Sequence, residues 1–102
     1  GGGKSHIRYR DLDVDTDKCL VLLNGEEVHL TSTEYKLLCY LIENKGRIVT
    51  KAMLLEQLWD IDGNFVDENT VRVNIKRLRQ KLNDDKQEYI VTVFGMGYTF
   101  GE

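Results

Sequence analysis

The sequence predicts an α+β fold in which a small antiparallel sheet is followed by three helices and a C-terminal β-hairpin. Three observations support this fold class. Short runs separated by turn residues occupy the chain up to Leu30, apolar residues recur at helical spacing between residues 31 and 82, and two strand-like runs flank a glycine loop near the C-terminus. A chain of 102 residues with 41% apolar residues suits one hydrophobic core, which excludes a large multidomain enzyme.

The N-terminal segment predicts three or four short strands. Apolar and polar residues alternate in IRYRDLDVD, which starts at Ile7, and a compact apolar run follows in CLVLLN. Asn24 and Gly25 are typical of a two-residue hairpin turn, after which EEVHL continues the sheet. Because three glycines cannot pack, we expect Gly1 to Gly3 to be a remnant of expression and residues 4–102 to form the domain.

The cysteines, histidines and N-terminal aspartates do not indicate a disulfide or a metal site. Cys19 and Cys39 lie in apolar runs without a CxxC spacing, so we expect reduced, buried thiols. His6 and His29 lack partners at ligand-like spacing. The aspartates at positions 11, 13, 15 and 17 lack the glycine and distal glutamate of an EF-hand loop, which favours turns and strand edges instead.

The first two predicted helices each begin at a threonine. Thr31 and Glu34 have the spacing of a capping box, and the first helix ends at Asn-Lys-Gly, residues 44–46. Thr50 is the predicted N-cap of the second helix, which the turn residues from Asp60 to Asn64 end.

The third predicted helix and the hairpin complete the fold. Either Asp67 or Asn69 caps this helix, which runs to about Leu82. Two strand-like runs, EYIVTVF and YTF, then flank Gly-Met-Gly at residues 95–97, as is typical of two strands joined by a glycine loop.

Charge is distributed unevenly along the chain. The net charge of −3 by itself disfavours nucleic acid as a partner. Residues 69–82 nevertheless carry a charge of +5 and no acid, whereas the rest of the chain carries −8. The five bases are Arg72, Lys76, Arg77, Arg79 and Lys81. A basic stripe on an acidic domain is typical of a protein that contacts polyanions with one element only.

The third helix has two different faces. At 100° per residue, an aliphatic stripe forms on one side, and it consists of Val71, Ile75, Leu78 and Leu82. The opposite side holds Arg72, Val73, Lys76, Arg77, Arg79 and Gln80. We expect the five cations between Asn69 and Leu82 to project outward together. They either pair with acids elsewhere in the domain or face a ligand. The order of a helix followed by a hairpin favours DNA as the ligand, with the helix in the major groove and the hairpin tip near the minor groove. Val73 then either meets a thymine methyl group or lies partly buried under the hairpin.

Three runs of sequence resemble a known family. The runs LTSTEYKLLCYLIENKGRIVTKAMLLEQLW, VDENTVRVNIKRLRQKL and VTVFGMGYTF, in this order, are similar to the winged-helix effector domain of OmpR/PhoB-type two-component response regulators. The resemblance covers the chain from Ile7 onward. It implies a winged helix-turn-helix with a four-stranded N-terminal sheet, a recognition helix at about 68–82 in the major groove, a wing at about 90–100, and an upstream receiver domain absent from this chain.

The resemblance also assigns DNA contacts to particular residues. The implied base contacts are Arg72, Val73, Lys76 and Arg77. The implied contacts to the DNA backbone are Asn69, Asn74, Arg79 and Thr92. The implied wing residues are Phe94, Gly95, Met96 and Gly97. Phe94 stands where the family often has a minor-groove arginine, and Thr99 replaces another frequent base, so charge-based minor-groove contact depends on Lys86 instead.

The segment between the second and third helices matches the loop that meets RNA polymerase in such regulators. The residues concerned are Trp59, Asp60, Asp62, Asp67 and Glu68. Their acidity suits a basic protein partner, but it also suits a solvated turn followed by favourable acids at a helix N-terminus. The further implied partners are promoter DNA, the protein's own receiver domain and a second protomer on DNA.

The function expected from these features is sequence-specific binding of double-stranded DNA in a two-component transcription regulator. The alternative is a protein-interaction module that docks an acidic partner on the same basic helix. The sequence has no catalytic Ser/His/Asp or Cys/His set and no Walker loop, so we expect neither an enzyme nor a cofactor. Without a leader or an apolar run of about 20 residues, we expect a cytoplasmic protein.

Overall fold

A computed structural model describes residues 6–62, 67–84 and 89–101, with the side chains of residues 59–62 outside the described part. Gly1 to Gly3, Lys86 and residues 63–66 therefore also lie outside it. The chain divides into two compact units, Gly1–Leu30 and Thr31–Glu102.

The N-terminal unit is a four-stranded antiparallel sheet, as predicted. Its strands, in spatial and chain order, are β1 (His6–Tyr9), β2 (Leu12–Asp15), β3 (Leu20–Leu23) and β4 (Glu26–Glu27). Val14 lies opposite Ile7 on one side and Val21 on the other. Because side chains alternate along a strand, Leu12 shares a face with Val14, and Leu12, Val14 and Val21 are all buried.

The turn between β3 and β4 confirms the hairpin predicted from Asn24 and Gly25. Both residues have positive φ, +53° and +84°, as a type I′ turn requires. The Asn24 N–H donates to the carbonyl oxygen of Asp11 at 2.7 Å, which fastens this turn to the neighbouring one.

The turn between β2 and β3 corrects the expectation of two buried thiols. Oδ1 of Asp15 accepts hydrogen bonds from the backbone N–H groups of Asp17 (3.0 Å) and Lys18 (3.3 Å), which tightens the chain before β3 begins. Cys19 is the last residue of this turn, with φ of +51°, and its side chain is exposed. Cys39 is half-buried. The apolar run that starts at Cys19 thus enters the strand only at Leu20.

The C-terminal unit contains three helices and a second sheet. Its elements are α1 (Ser32–Glu43), β5 (Val49–Thr50), α2 (Lys51–Asp62), α3 (Glu68–Lys81), β6 (Ile90–Val93) and β7 (Gly97–Phe100). The three helices pack against one another. Their shared core consists of buried aliphatic side chains, among them Leu37, Leu41, Leu54, Leu58, Ile75 and Leu78.

Side-chain caps begin all three helices, as predicted. Thr31 and Glu34 form the reciprocal capping box of α1, at 3.1 and 3.0 Å. Oγ1 of Thr50 accepts from the N–H of Met53 at 3.2 Å at the start of α2. Asp67, rather than Asn69, caps α3. α2 extends to Asp62, into the segment predicted to end it, and α3 ends at Lys81 with Leu82 as its C-cap.

The second sheet contains a strand that the sequence did not predict. β5 pairs antiparallel with β7, so the strand order is β5-β7-β6 rather than an isolated hairpin. Gly97 lies opposite Thr50 at this pairing, and a Cβ atom on Gly97 would lie 2.1 Å from the carbonyl oxygen of Val49. The close approach of β5 to β7 therefore requires glycine at this position.

A buried carboxylate connects α1 to the end of α3. Glu34 is 1% exposed, and its Oε1 lies 2.5 Å from Nζ of Lys81. Burial alone would raise the pKa of Glu34, but hydrogen bonds from Lys81 and from the Thr31 backbone outweigh it, so the pKa lies below the usual 4.5. The carboxylate therefore both caps α1 and binds α3.

We expect Glu34→Gln to lower the free energy of unfolding by about 1–2 kcal/mol at pH 7, because a charge-assisted hydrogen bond to a partly exposed lysine is lost. The folded-state pKa of Glu34 is depressed, so its ionised form stabilises the fold above pH 4.5 and this contribution is lost as the pH falls through the folded-state value. Urea unfolding at pH 7, 4 and 3 should show the difference between wild type and variant shrinking with falling pH. A difference independent of pH would contradict this assignment.

We expect Gly97→Ala to destabilise the domain by about 3 kcal/mol, because the new methyl group collides with the backbone of β5. Gly95→Ala is the matched control, since Gly95 also has positive φ but a methyl group there would meet no other atom within 4 Å. The free energy of unfolding of this control should fall by only about 1 kcal/mol. Equal losses in urea unfolding would show that the approach of β5 does not constrain Gly97.

Candidate nucleic-acid interface

The structure confirms the two predicted faces of α3. Val71, Ile75 and Leu78 are buried on the inner side. Arg72, Lys76 and Arg77 are exposed on the outer side. Within the described residues, none of these three cations forms an ion pair or hydrogen bond with the protein. We call Arg72, Lys76 and Arg77 the basic face.

Val73 lies in the middle of the helical segment that carries the basic face. Its side chain is 36% exposed, so it is among the exposed large apolar residues of the described chain. About two thirds of its surface is covered. The position therefore combines features of both alternatives, partial burial and an apolar contact available to a ligand.

The other two cations of α3 are engaged within the protein, which corrects the expectation that five bases project outward together. Lys81 pairs with Glu34. Arg79 turns back onto the hairpin. Its Nε and Nη2 donate to the carbonyl oxygen of Ile90 at 3.0 and 2.8 Å, and Nη2 also donates to Oγ1 of Thr92 at 2.6 Å. We call this set of bonds the Arg79 clamp.

The guanidinium of the Arg79 clamp lies among groups that act on its charge in opposite directions. Burial lowers the pKa of the Arg79 guanidinium, and the nearby negative charge of Asp84 opposes this effect. The guanidinium carbon also lies 5.9 Å from the centroid of the Tyr98 ring, within the range of a cation–π contact. An arginine remains protonated at neutral pH under such conditions, so the clamp carries a permanent charge.

Asp84, which lies just after the predicted end of the third helix, is a second residue of this junction. Its carboxylate is buried and accepts from the N–H groups of Tyr89 (3.1 and 3.2 Å) and Ile90 (2.8 Å). Asp84 thus fixes the start of β6. The sequence Asn-Asp-Asp offers no signal that separates this aspartate from its neighbour.

The residues predicted to contact the DNA backbone differ in their availability. Asn69 is exposed in the first turn of α3. Asn74 is 8% exposed, and its Nδ2 donates to the carbonyl oxygen of Thr70 at 2.8 Å. Arg79 and Thr92 bind each other. In this arrangement Asn69 is the one exposed side chain of the four, and polar groups of the other three bind within the protein.

Acidic residues at the start of α3 serve the helix itself. Oδ1 of Asp67 accepts from the backbone N–H of Thr70 (2.9 Å) and from its hydroxyl group (3.1 Å), and these bonds lower the pKa of Asp67. The interpretation as a favourable helix N-terminus therefore holds for Asp67. Glu68 is exposed in the first turn. The side chains of Trp59, Asp60 and Asp62 lie outside the described part, so the polymerase contact stays a prediction.

The hairpin ends in an apolar tip. Phe94 is 92% exposed and Met96 is 56% exposed, with Gly95 between them at φ of +76°. Thr99 binds the chain that follows α1, since its hydroxyl donates to the carbonyl oxygen of Arg47 at 2.9 Å. Residues 89–101 contain no charged residue, and Lys86 lies outside the described part.

The described residues offer neither a metal site nor a membrane span. No group of three or more His, Cys, Asp or Glu side chains is placed to hold a metal ion there. No helix in that part of the chain has the length and apolar character needed to cross a membrane.

Comparison with known proteins agrees with this geometry. Residues 25–100 match the family described as transcriptional regulatory protein, C terminal, a family of regulators and not of enzymes. The uncharacterized transcriptional regulatory protein YcbL of Bacillus subtilis (strain 168) is 41% identical over 98 residues, which are 94% of this chain and 43% of YcbL. The chain spans less than half the length of the curated relatives it matches.

Two solved structures share the fold. Response regulator DrrB of Thermotoga maritima, an OmpR/PhoB homolog, gives a TM-score of 0.86 at 35% identity, covering 96% of this chain and 45% of DrrB. The RstA DNA-binding domain of Klebsiella pneumoniae, solved in complex with RstA box, gives a TM-score of 0.80 at 35% identity, covering 94% of this chain and 96% of that domain. The chain therefore belongs to the transcriptional regulatory protein C-terminal family and has the winged-helix fold of the DNA-binding effector domains of OmpR/PhoB-type response regulators.

Proposed function

We propose that the domain binds double-stranded DNA in a sequence-specific manner, with α3 in the major groove. The observation that carries this proposal is the basic face, in which three exposed cations project from a helix whose other side is buried core. An unpaired cluster of this kind attracts the phosphate backbone and presents two guanidinium groups and one ammonium group to base edges. The DNA complex of the structurally similar RstA domain supports the same mode of use.

Each residue of α3 and β6 that was predicted to contact DNA has a proposed role. Arg72, Lys76 and Arg77 contact base edges, where an arginine forms two hydrogen bonds to guanine. Val73 contacts a thymine methyl group, and Asn69 contacts a phosphate at the N-terminal end of the helix. Arg79, Thr92 and Asn74 act through the protein, because their polar groups already bind one another or the helix.

The proposal extends to the assembly in which the domain works. One recognition helix makes few contacts, so we propose that two protomers bind half-sites about 10 bp apart. The upstream part of the longer relatives suggests a receiver domain that controls this pairing, and the acidic segment before α3 is proposed to meet RNA polymerase. A protein that reads promoters in this way works in the cytoplasm.

Arg77→Ala should weaken binding to a cognate duplex by about 5- to 150-fold, because one pair of base hydrogen bonds is worth about 1–3 kcal/mol. It should also relax the preference at one base pair. The measurement is fluorescence anisotropy on a duplex selected from a random pool and on a scrambled duplex. Lys36→Ala is the charge-matched control, since Lys36 is exposed on α1. If Arg77→Ala binds both duplexes as wild type does, base reading by α3 is wrong and an acidic protein partner becomes the better explanation.

Arg79→Lys and Thr92→Val should weaken DNA binding without changing its salt dependence, because the Arg79 clamp positions the wing and does not neutralise a phosphate. Each lost phosphate contact would make the slope of log affinity against log salt concentration shallower by about 0.9. Thr92→Val keeps the shape of the side chain and removes one clamp partner, so it separates the two roles cleanly. Arg79→Lys keeps the positive charge, so its salt slope stays the same whether or not Arg79 contacts a phosphate. Arg79→Gln removes the charge and is therefore the decisive variant. A shallower salt slope in Arg79→Gln would contradict the positioning role.

A further inference from the structure

The tip of the hairpin exposes more apolar surface than any other place in the described chain. Phe94 and Met96 are 92% and 56% exposed, whereas the next apolar side chains, Ile48 and Val73, reach only 39% and 36%. Full burial of a phenylalanine is among the largest single gains in apolar transfer, so water is a poor environment for Phe94. We call residues 94–96 the wing tip.

The chemistry of the wing excludes an electrostatic contact. No residue from 89 to 101 is charged. The wing tip therefore cannot form an ion pair with a phosphate, and its contact chemistry is limited to two apolar side chains and the backbone. A narrow surface with apolar character, into which a two-residue protrusion fits, suits such a tip.

The wing tip is held in a fixed relation to the basic face. The Arg79 clamp ties the carbonyl group of Ile90 to α3, and Asp84 binds the N–H of the same residue. On the other side, β7 is paired to β5 where Gly97 allows the close approach. From Ile90, four residues of strand carry the chain about 13 Å out to Phe94. The tip is thus a projection from the unit that carries the recognition helix.

The hairpin tip is already expected near the minor groove of the duplex bound by α3, and we propose that Phe94 wedges there between adjacent base pairs. This inference rests on the proposed DNA binding. The minor groove next to the occupied major groove is the surface continuous with the basic face, and its base steps receive apolar side chains that unstack them and bend the duplex. The wedge acts best at flexible pyrimidine–purine steps, so it adds a preference for deformable sequence to the hydrogen-bond reading of α3.

The test uses a duplex with a single half-site, so that only one protomer binds. Phe94→Ala removes the wedge, and Phe94→Leu keeps much of it. Ile48→Ala is the control for an exposed apolar side chain outside the tip. Since Phe94 is almost fully exposed, thermal unfolding should be the same for all the variants at this position.

Three readouts distinguish the outcomes. We expect Phe94→Ala to weaken binding about tenfold, with an unchanged salt slope, whereas Phe94→Leu retains most of the affinity. A 2-aminopurine at the wing-proximal step should brighten when wild type binds and stay dark with Phe94→Ala. Energy transfer between dyes at the duplex ends should report a smaller bend with Phe94→Ala.

Unchanged affinity, fluorescence and bend in Phe94→Ala would overturn the proposal. So would the result that Phe94→Ala abolishes self-association in sedimentation without DNA but binds the half-site as wild type does, because the tip would then be a contact between copies of this chain. Arg77→Ala separates this failure from failure of the proposed function. If Arg77→Ala weakens specific binding and Phe94→Ala does not, only the wedge is wrong.

Discussion

The arrangement of the C-terminal unit depends on one guanidinium that bridges α3 and β6. Both backbone polar groups of Ile90 are bound from the α3 side, the carbonyl oxygen by Arg79 and the N–H by Asp84. A planar guanidinium with five donors fixes an angle as well as a distance, which a lysine ammonium does not. Helix and wing consequently form one body, and the exposed groups on each have a fixed mutual orientation.

Local signals in the sequence were sufficient for most of the fold. Thr31, Thr50 and Asp67 each have a helix-capping residue pattern, and Asn24-Gly25 specifies a turn by backbone conformation alone. β5 was not predicted because a strand of two residues is too short to show any periodicity. Its only trace is the β-branched run from Ile48 to Thr50 after a glycine.

The candidate site was predictable where position on the helix decides exposure, and not where a long side chain folds back. Arg72, Lys76 and Arg77 lie outward as the helical spacing requires. Arg79 occupies the same arc, but it reaches a strand 11 residues further along the chain, and no periodicity encodes such a contact. Spacing alone therefore placed four bases on the outer face of this helix, whereas Arg79 binds the hairpin and leaves three cations for a polyanion.

The brevity of two edge strands has a consequence for solution behaviour. β4 closes one side of the first sheet and β5 closes one side of the second, and each has two residues. An edge presents unpaired backbone groups on which a foreign strand can assemble, and many proteins guard such edges with proline. This chain contains no proline. The short edge strands on these two sides offer too few backbone amides for another strand to pair with, which limits edge-to-edge aggregation.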